Sequence, residues 1–83
     1  MFYKIKSVKP LNDYKLLVVF ENNTVKQYDV KILFSKFEIF RELCSIIGLF
    51  EQVKVDAGGY GISWNDELDL ACNELWNNGQ TIS

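Results

Sequence analysis

The chain has 83 residues, a formal net charge of −2 and no histidine. That length holds one small domain with a limited core, and at 48% hydrophobic residues it is too apolar to remain disordered. No cluster of Lys or Arg offers the basic face that tight phosphate-backbone binding requires, and without His or a Cys-x-x-Cys spacing the usual zinc sites are excluded.

The first segment, Phe2 to Val8, reads as a strand in which Tyr3, Ile5 and Ser7 share one face and Lys4 and Lys6 the other. Val8 is out of phase, which signals a bulge or the strand end. Pro10 cannot donate to a ladder and marks the exit, and Asn12-Asp13 is a turn. Tyr14 to Phe20 (YKLLVVF) is nearly continuous in apolar and β-branched residues, the pattern of a central strand. Asn22-Asn23 is a hairpin turn, and Thr24 to Val30 the return strand. A two-residue loop places Val18 opposite Gln27 and Leu16 opposite Asp29. A three-residue loop, Asn22 to Thr24, places Val18 opposite Tyr28 and Leu16 opposite Val30. The second register pairs apolar with apolar and is preferred.

Ser35-Lys36-Phe37-Glu38 fits the S-x-x-E capping box. It predicts a helix in which Ile39, Phe40, Leu43, Cys44 and Ile47 form the apolar face and Gly48 the stop. Val53 to Leu70 (VKVDAGGYGISWNDELDL) then contains a hairpin about Gly58-Gly59. A two-residue loop pairs Ala57 with Tyr60, Val55 with Ile62 and Val53 with Trp64, all on one face. Gly61 leaves room for a close approach. After a turn at Asn65 to Glu67, the residues Leu68, Ala71, Cys72, Leu75 and Trp76 recur at helical spacing and stop at Asn77-Asn78-Gly79. The expectation is an α+β domain of order βββ-α-ββ-α, with antiparallel sheets and two helices packed on one face. It covers residues 1–79, with 80–83 as a frayed tail.

Chemistry is sparse. Asp66, Glu67, Asp69 and Glu74 match no calcium loop and suit the first turn of a helix through its macrodipole. Asp29, at the end of a strand, reads as a holder of backbone amides. Gly58-Gly59-Tyr60-Gly61 lacks the Lys-Ser/Thr ending of a phosphate-binding loop. No residue is placed as catalytic, cofactor-binding or metal-ligating. The number of large rings reads equally as an aromatic core or as rings left exposed at a partner surface. With neither a membrane span nor a signal peptide, the cytoplasm is the expected compartment.

Six pieces together carry a resemblance: Ile5–Leu11 (IKSVKPL), Tyr14–Phe20, Tyr28-Asp29, Phe40–Leu43 (FREL), Phe50–Val55 (FEQVKV) and Ile62–Leu70 (ISWNDELDL). In order and spacing they resemble a family of short bacterial proteins known as domain of unknown function twenty-four forty-two. Asp29, Phe40, Leu43, Phe50, Gly58, Gly59, Trp64, Asp69 and Leu70 carry its structural signature here. The resemblance implies a compact α+β domain without known enzymatic activity or cofactor. It also implies a gene neighbourhood like that of toxin–antitoxin pairs. Some members carry a helix-turn-helix domain that this chain is not expected to have, and Asn22-Asn23 replaces the family's usual turn glycine. The function expected is a non-catalytic protein-interaction domain, the antitoxin-like member of such a pair, with another small protein or a second copy as partner. The alternative is a weak nucleic-acid-binding or transcription-associated module using Lys4, Lys6, Lys9 and Lys15. A metal-dependent enzyme using the late carboxylates ranks last.

Overall fold

The computed structural model describes residues 3–82. It contains two antiparallel sheets and two short helices, an α+β domain. The first sheet has the order β1-β2-β3-β7, built from Ile5–Leu11, Lys15–Phe20, Val25–Asp29 and Gln80–Thr81. The second has the order β4-β5-β6, built from Lys54–Val55, Gly61–Ser63 and Asp69–Ala71. Helix α1 is Glu42–Ser45 and helix α2 is Cys72–Asn78. Strand β4 lies against β1, and α2 touches β3, β5 and β6, so α2 fills the angle between the sheets.

Strand β1 keeps its core face through a bulge. Ile5 pairs with Phe20 but Ser7 with Val19, so Lys6 is the extra residue. The bulge resets the phase and puts Val8 opposite the buried Val18. The expected exit at Pro10 is corrected: the strand continues to Leu11, with Pro10 opposite Leu16. Because β1 is at the end of its sheet's strand order, a residue without an N–H is tolerated there. The start expected at Phe2 lies outside the described residues. Tyr14, expected in β2, instead ends the turn Asn12–Tyr14. Both Asp13 and Tyr14 have positive φ there. The Tyr14 ring packs edge-on against Phe34 and Phe50, and this packing holds a bulky residue in an unfavourable backbone region. The Lys31 ammonium, bonded to Asp13, lowers that carboxyl's pKa.

The loop joining β2 and β3 has three residues, but they are Glu21 to Asn23, one position earlier than expected. Phe20 N donates to Thr24 O, and Asn23 N to Phe20 O, each at 2.9 Å. Asn23 takes φ 70, which asparagine tolerates, and Asn22 Oδ1 accepts from Thr24 N at 3.0 Å. Leu16 therefore faces Tyr28 and Val18 faces Lys26, a shift of two residues from the preferred register. An even shift keeps every side chain on its face. Leu16, Val18, Phe20, Tyr28 and Val30 are all buried, and Lys26 is buried with them. Its ammonium donates to Trp76 O at 2.5 Å and stands 4.2 Å from the centre of the Trp76 ring. A carbonyl at the end of α2 and a π face thus replace water around that charge.

The expected helix over 35–47 is corrected most. Val30–Leu33 and Glu38–Arg41 are 3-10 turns, and α1 is a single α-helical turn. Ser35 caps nothing: the residue before the second turn is the extended Phe37, with no side-chain cap. Only Phe40 and Leu43 of the expected apolar face are buried, while Ile39, Cys44 and Ile47 are exposed. β-branched Ile39, Ile46 and Ile47 resist helix, and a short helix needs tertiary packing that two buried residues scarcely supply. Gly48, at φ 82, ends the segment.

The Gly58-Gly59 hairpin has the expected register, with Val55 opposite Ile62 and Lys54 opposite Ser63. Its ladder closes at Asp56 and Gly61, leaving Ala57 and Tyr60 in the turn and exposed. The expected helix start at Leu68 is corrected to a strand: β6 pairs Leu70 with Ile62 and Ala71 with Gly61. The expected frayed tail is likewise corrected at Gln80–Thr81, which pair with Gln27 and Lys26 on β3, while Ser83 lies outside the described residues.

One hydrogen-bonded group ties α2 to β3. Tyr28 Oη donates to Glu74 Oε2 at 2.8 Å, and Asn78 Nδ2 donates to the same oxygen at 2.8 Å. Burial, then the Glu74 carboxylate, raise the Tyr28 pKa above its usual value of about 10. A phenol whose folded pKa exceeds its unfolded one contributes stability that is complete below the unfolded value and is lost as pH rises through the folded one. Tyr28→Phe is expected to cost about 1–2 kcal/mol at neutral pH. Urea unfolding should show this difference shrinking above about pH 10; a gap that persists or widens there refutes it.

Candidate interaction surface

The nine signature residues do not converge on one site. Asp29 Oδ1 accepts from Lys31 N at 3.0 Å and so caps the turn Val30–Leu33, the backbone-holding role read from sequence. Phe40, Leu43, Phe50, Trp64 and Leu70 belong to the core. Gly58 and Gly59 form the β4–β5 turn. Asp69 is exposed on β6 opposite Ser63.

The late carboxylates are dispersed as well. Glu74 is occupied by Tyr28 and Asn78. Asp66 and Glu67 are exposed on a turn held by Asn65 Oδ1, which accepts from Glu67 N and Leu68 N at 2.9 Å each. Among the described residues, no three His, Cys, Asp or Glu side chains gather to hold a metal. Lys6 and Lys9 are exposed along β1 and Lys4 is exposed just before it, its ammonium 5.2 Å from the centre of the Tyr60 ring. No helix among the described residues is long and apolar enough to cross a membrane.

The two cysteines differ sharply. Cys72 is buried at the start of α2, while Cys44 is exposed on α1. A hydrogen bond with Cys44, then its charge, raise the Tyr14 pKa. One thiol per chain is therefore expected to react rapidly with a thiol reagent, and Cys44→Ser should remove that reaction. Two fast thiols in the folded protein would contradict the packing of Cys72.

What does gather is exposed apolar surface. The rings are mostly inside: Tyr28 and Phe20 are fully buried, and Trp64 is 4% exposed. Tyr3 stacks on Trp76 with ring centres 3.7 Å apart. Among the described residues the exposed large hydrophobic side chains are mainly isoleucines, and five of the seven, Ile32, Phe37, Ile39, Ile46 and Ile47, fall on the connection between the sheets. Ile47 is 100% exposed, Phe37 54% and Ile46 48%. Phe37, Ile39, Ile46 and Ile47 lie within the stretch 37–47, whose two successive turns rise only about 14 Å from Glu38 to Ser45. The same stretch carries Lys36, Glu38 and Arg41, exposed, and Glu42, half-buried. Arg41 Nε donates to Phe34 O at 2.9 Å, which fastens the first turn to the preceding bend.

Sequence reasoning assigned Ile47 to the core and did not single out Ile46. The available signal was the adjacent β-branched pair directly before Gly48: two neighbours cannot both face inward on a helix, and neither suits its last turn.

No curated protein and no solved structure matched the chain. Residues 5–81 match the family described as protein of unknown function, DUF2442. Strands β1 to β7 and both helices fall within that span, and the chain belongs to this family.

Proposed function

We propose that the protein is a non-catalytic protein-interaction domain that presents the Phe37–Ile47 segment to a protein partner. The observation that carries this reading is that five of the seven exposed large apolar side chains among the described residues fall on that one connection, Tyr60 and Ile82 being the others, while the buried ones form a single core. Such a concentration is a poor surface to leave in water, and apolar residues set among polar ones are the usual anatomy of an interface. Its most specific form is the antitoxin-like member of a toxin–antitoxin-type pair, which the gene neighbourhoods implied by the family resemblance support.

The test is co-expression with the product of the adjacent gene, followed by size-exclusion chromatography. The two chains are expected to elute as one complex, and Ile47→Lys to separate them. Two chains that elute apart in the wild type would overturn the antitoxin-like form. A complex that survives Ile47→Lys unchanged would place the interface elsewhere.

A further inference from the structure

We infer that the face of the first sheet turned away from the core packs against the same face of a second copy, sheet on sheet, across a two-fold axis parallel to the strands. This surface is separate from the Phe37–Ile47 segment, and the inference does not depend on the reading of that segment.

The strand register defines the face. Residues directly opposite each other in an antiparallel ladder project from the same side. Ser7, Val19 and Val25 form one row, and Ile82 N, which donates to Val25 O at 2.9 Å, adds Ile82 to its end. Lys9, Leu17, Gln27 and Gln80 form the next row, and Leu11, Lys15 and Asp29 the last. The alternate residues Leu16, Val18, Lys26 and Tyr28 are the buried ones. Helix α2 lies on that buried side, where Lys26 reaches Trp76 O and Tyr28 reaches Glu74. Leu11, Leu17, Val19 and Val25 are half-buried, and none of them belongs to the core or to the side chains packed against it. Ile82 is 52% exposed. An apolar strip therefore crosses the open face, and the charges on its rows are Lys9, Lys15 and Asp29.

Those charges select the occupant and its orientation. A two-fold axis parallel to the strands, running between β2 and β3, sets β2 over β3 of the second copy and β1 over its β7. Each row then meets itself reversed. Val19 lies over Val25 of the second copy, Lys9 over its Gln80, and Lys15 over its Asp29. Lys15 and Asp29 are already neighbours across the ladder within one chain. The four charges thus form a square of alternating sign, in which each has two opposite neighbours. Asp29 Oδ1 accepts from Lys31 N, which leaves the second carboxylate oxygen for the lysine. A two-fold axis perpendicular to the strands would set Lys15 over Val19 and Asp29 over Val25, burying each charge on an apolar side chain. Four strands about 4.8 Å apart and three rows give a face about 15 Å by about 14 Å. That is below the standard interface of about 800 Å2 per partner, so the dimer is a weak, exchanging one.

The experiment is sedimentation equilibrium on the purified chain up to about 1 mM, where a dimer with a dissociation constant of about 0.1–1 mM is substantially formed. Lys15→Glu alone sets Glu over Asp29 of the second copy, and Asp29→Lys alone sets Lys over its Lys15. Each is expected to weaken self-association by about tenfold or more. An equal mixture of the two variants restores both opposite-sign contacts and should associate at least as tightly as the wild type. Val19→Glu, on the open face and outside the core, should abolish the dimer without lowering the melting temperature. Ile47→Lys should leave it unchanged. A wild type that is monomeric at about 1 mM overturns the inference, as does a Val19→Glu dimer as tight as the wild type. A mixture of folded charge variants that stays monomeric overturns it too. If the loss of the Asp29 cap unfolds Asp29→Lys, Val19→Glu decides. A dimer lost in Ile47→Lys but kept in Val19→Glu would overturn this inference and leave the reading of the Phe37–Ile47 segment standing.

Discussion

Trp64→Ala is expected to destabilise the protein by about 3–5 kcal/mol. The indole is 4% exposed and joins the two halves of the molecule. It leaves β5 and packs edge-on against Phe40, 6.1 Å between ring centres, and beside Phe50 at 6.3 Å. Its Nε1 donates to Phe50 O at 3.0 Å in a buried hydrogen bond. Truncation opens a cavity between the second sheet and the connecting segment and leaves that carbonyl unpaired. A domain of this size has a total stability of about 5–15 kcal/mol, so the loss could be most of it. The melting temperature should fall by about 15–30 °C. Trp64→Phe keeps much of the ring and removes only the donor, and should cost about 1–3 kcal/mol. A melt of Trp64→Ala within a few degrees of the wild type would mean that the ring is not in the core. Equal losses in the two variants would assign the whole effect to the hydrogen bond.

The second large effect separates two adjacent glycines. Gly58 and Gly59 both have positive φ, 82 and 78. Asparagine tolerates that backbone region, so Gly→Asn at each position nearly cancels the conformational cost and leaves the question of space. A Cβ at Gly59 would come within 2.7 Å of Ile5 O and 3.1 Å of Ile5 N, the backbone of β1. A Cβ at Gly58 would meet only the edge of the Tyr60 ring, at 2.8 Å, and that ring is half exposed and can turn aside. Gly59→Asn is therefore expected to cost about 2–4 kcal/mol, because the two sheets must separate to admit it. Gly58→Asn should cost less than about 1 kcal/mol. Chemical denaturation of the two variants measures the difference. Equal losses would show that turn conformation, not the approach of β1, governs both positions.

Local chemistry made parts of this fold legible. Two glycines between two alternating runs set the β4–β5 register, because the turn and both strand faces agree on it. The β-branched run of Lys15–Phe20 could only be a strand. Asp29 could be read as a backbone cap because its partner, Lys31 N, is two residues away. Elsewhere the local signal was ambiguous. Leu68, Ala71, Cys72 and Leu75 fit a helical period, and Leu68 and Leu70 equally fit a strand of period two. Pairing with Ile62 decided for β6. Ser35-Lys36-Phe37-Glu38 has the letters of a capping box, but the core asked only Phe40 and Leu43 of that stretch, and the helix did not form beyond one turn.

The candidate surface was the least legible feature. A sequence shows that an isoleucine is apolar, not whether a neighbouring element reaches it. Among the described residues, the rings are buried or packed against the core except Phe37 and Tyr60. Of the exposed apolar residues, Ile39 and Ile47 are ones that the helical period had placed inside.

By itself, then, the sequence determined the α+β class, the strands of the two hairpins, the β4–β5 register and the family. Each rests on turn chemistry, side-chain alternation or ordered motifs, which act over a few residues. Only the tertiary structure decided the β2–β3 register, the two extra strands, the collapse of the expected helix into short turns, and which apolar residues face solvent. Those depend on contacts such as Lys26 with Trp76 and Gly59 with Ile5, far apart along the chain, and no local pattern records them.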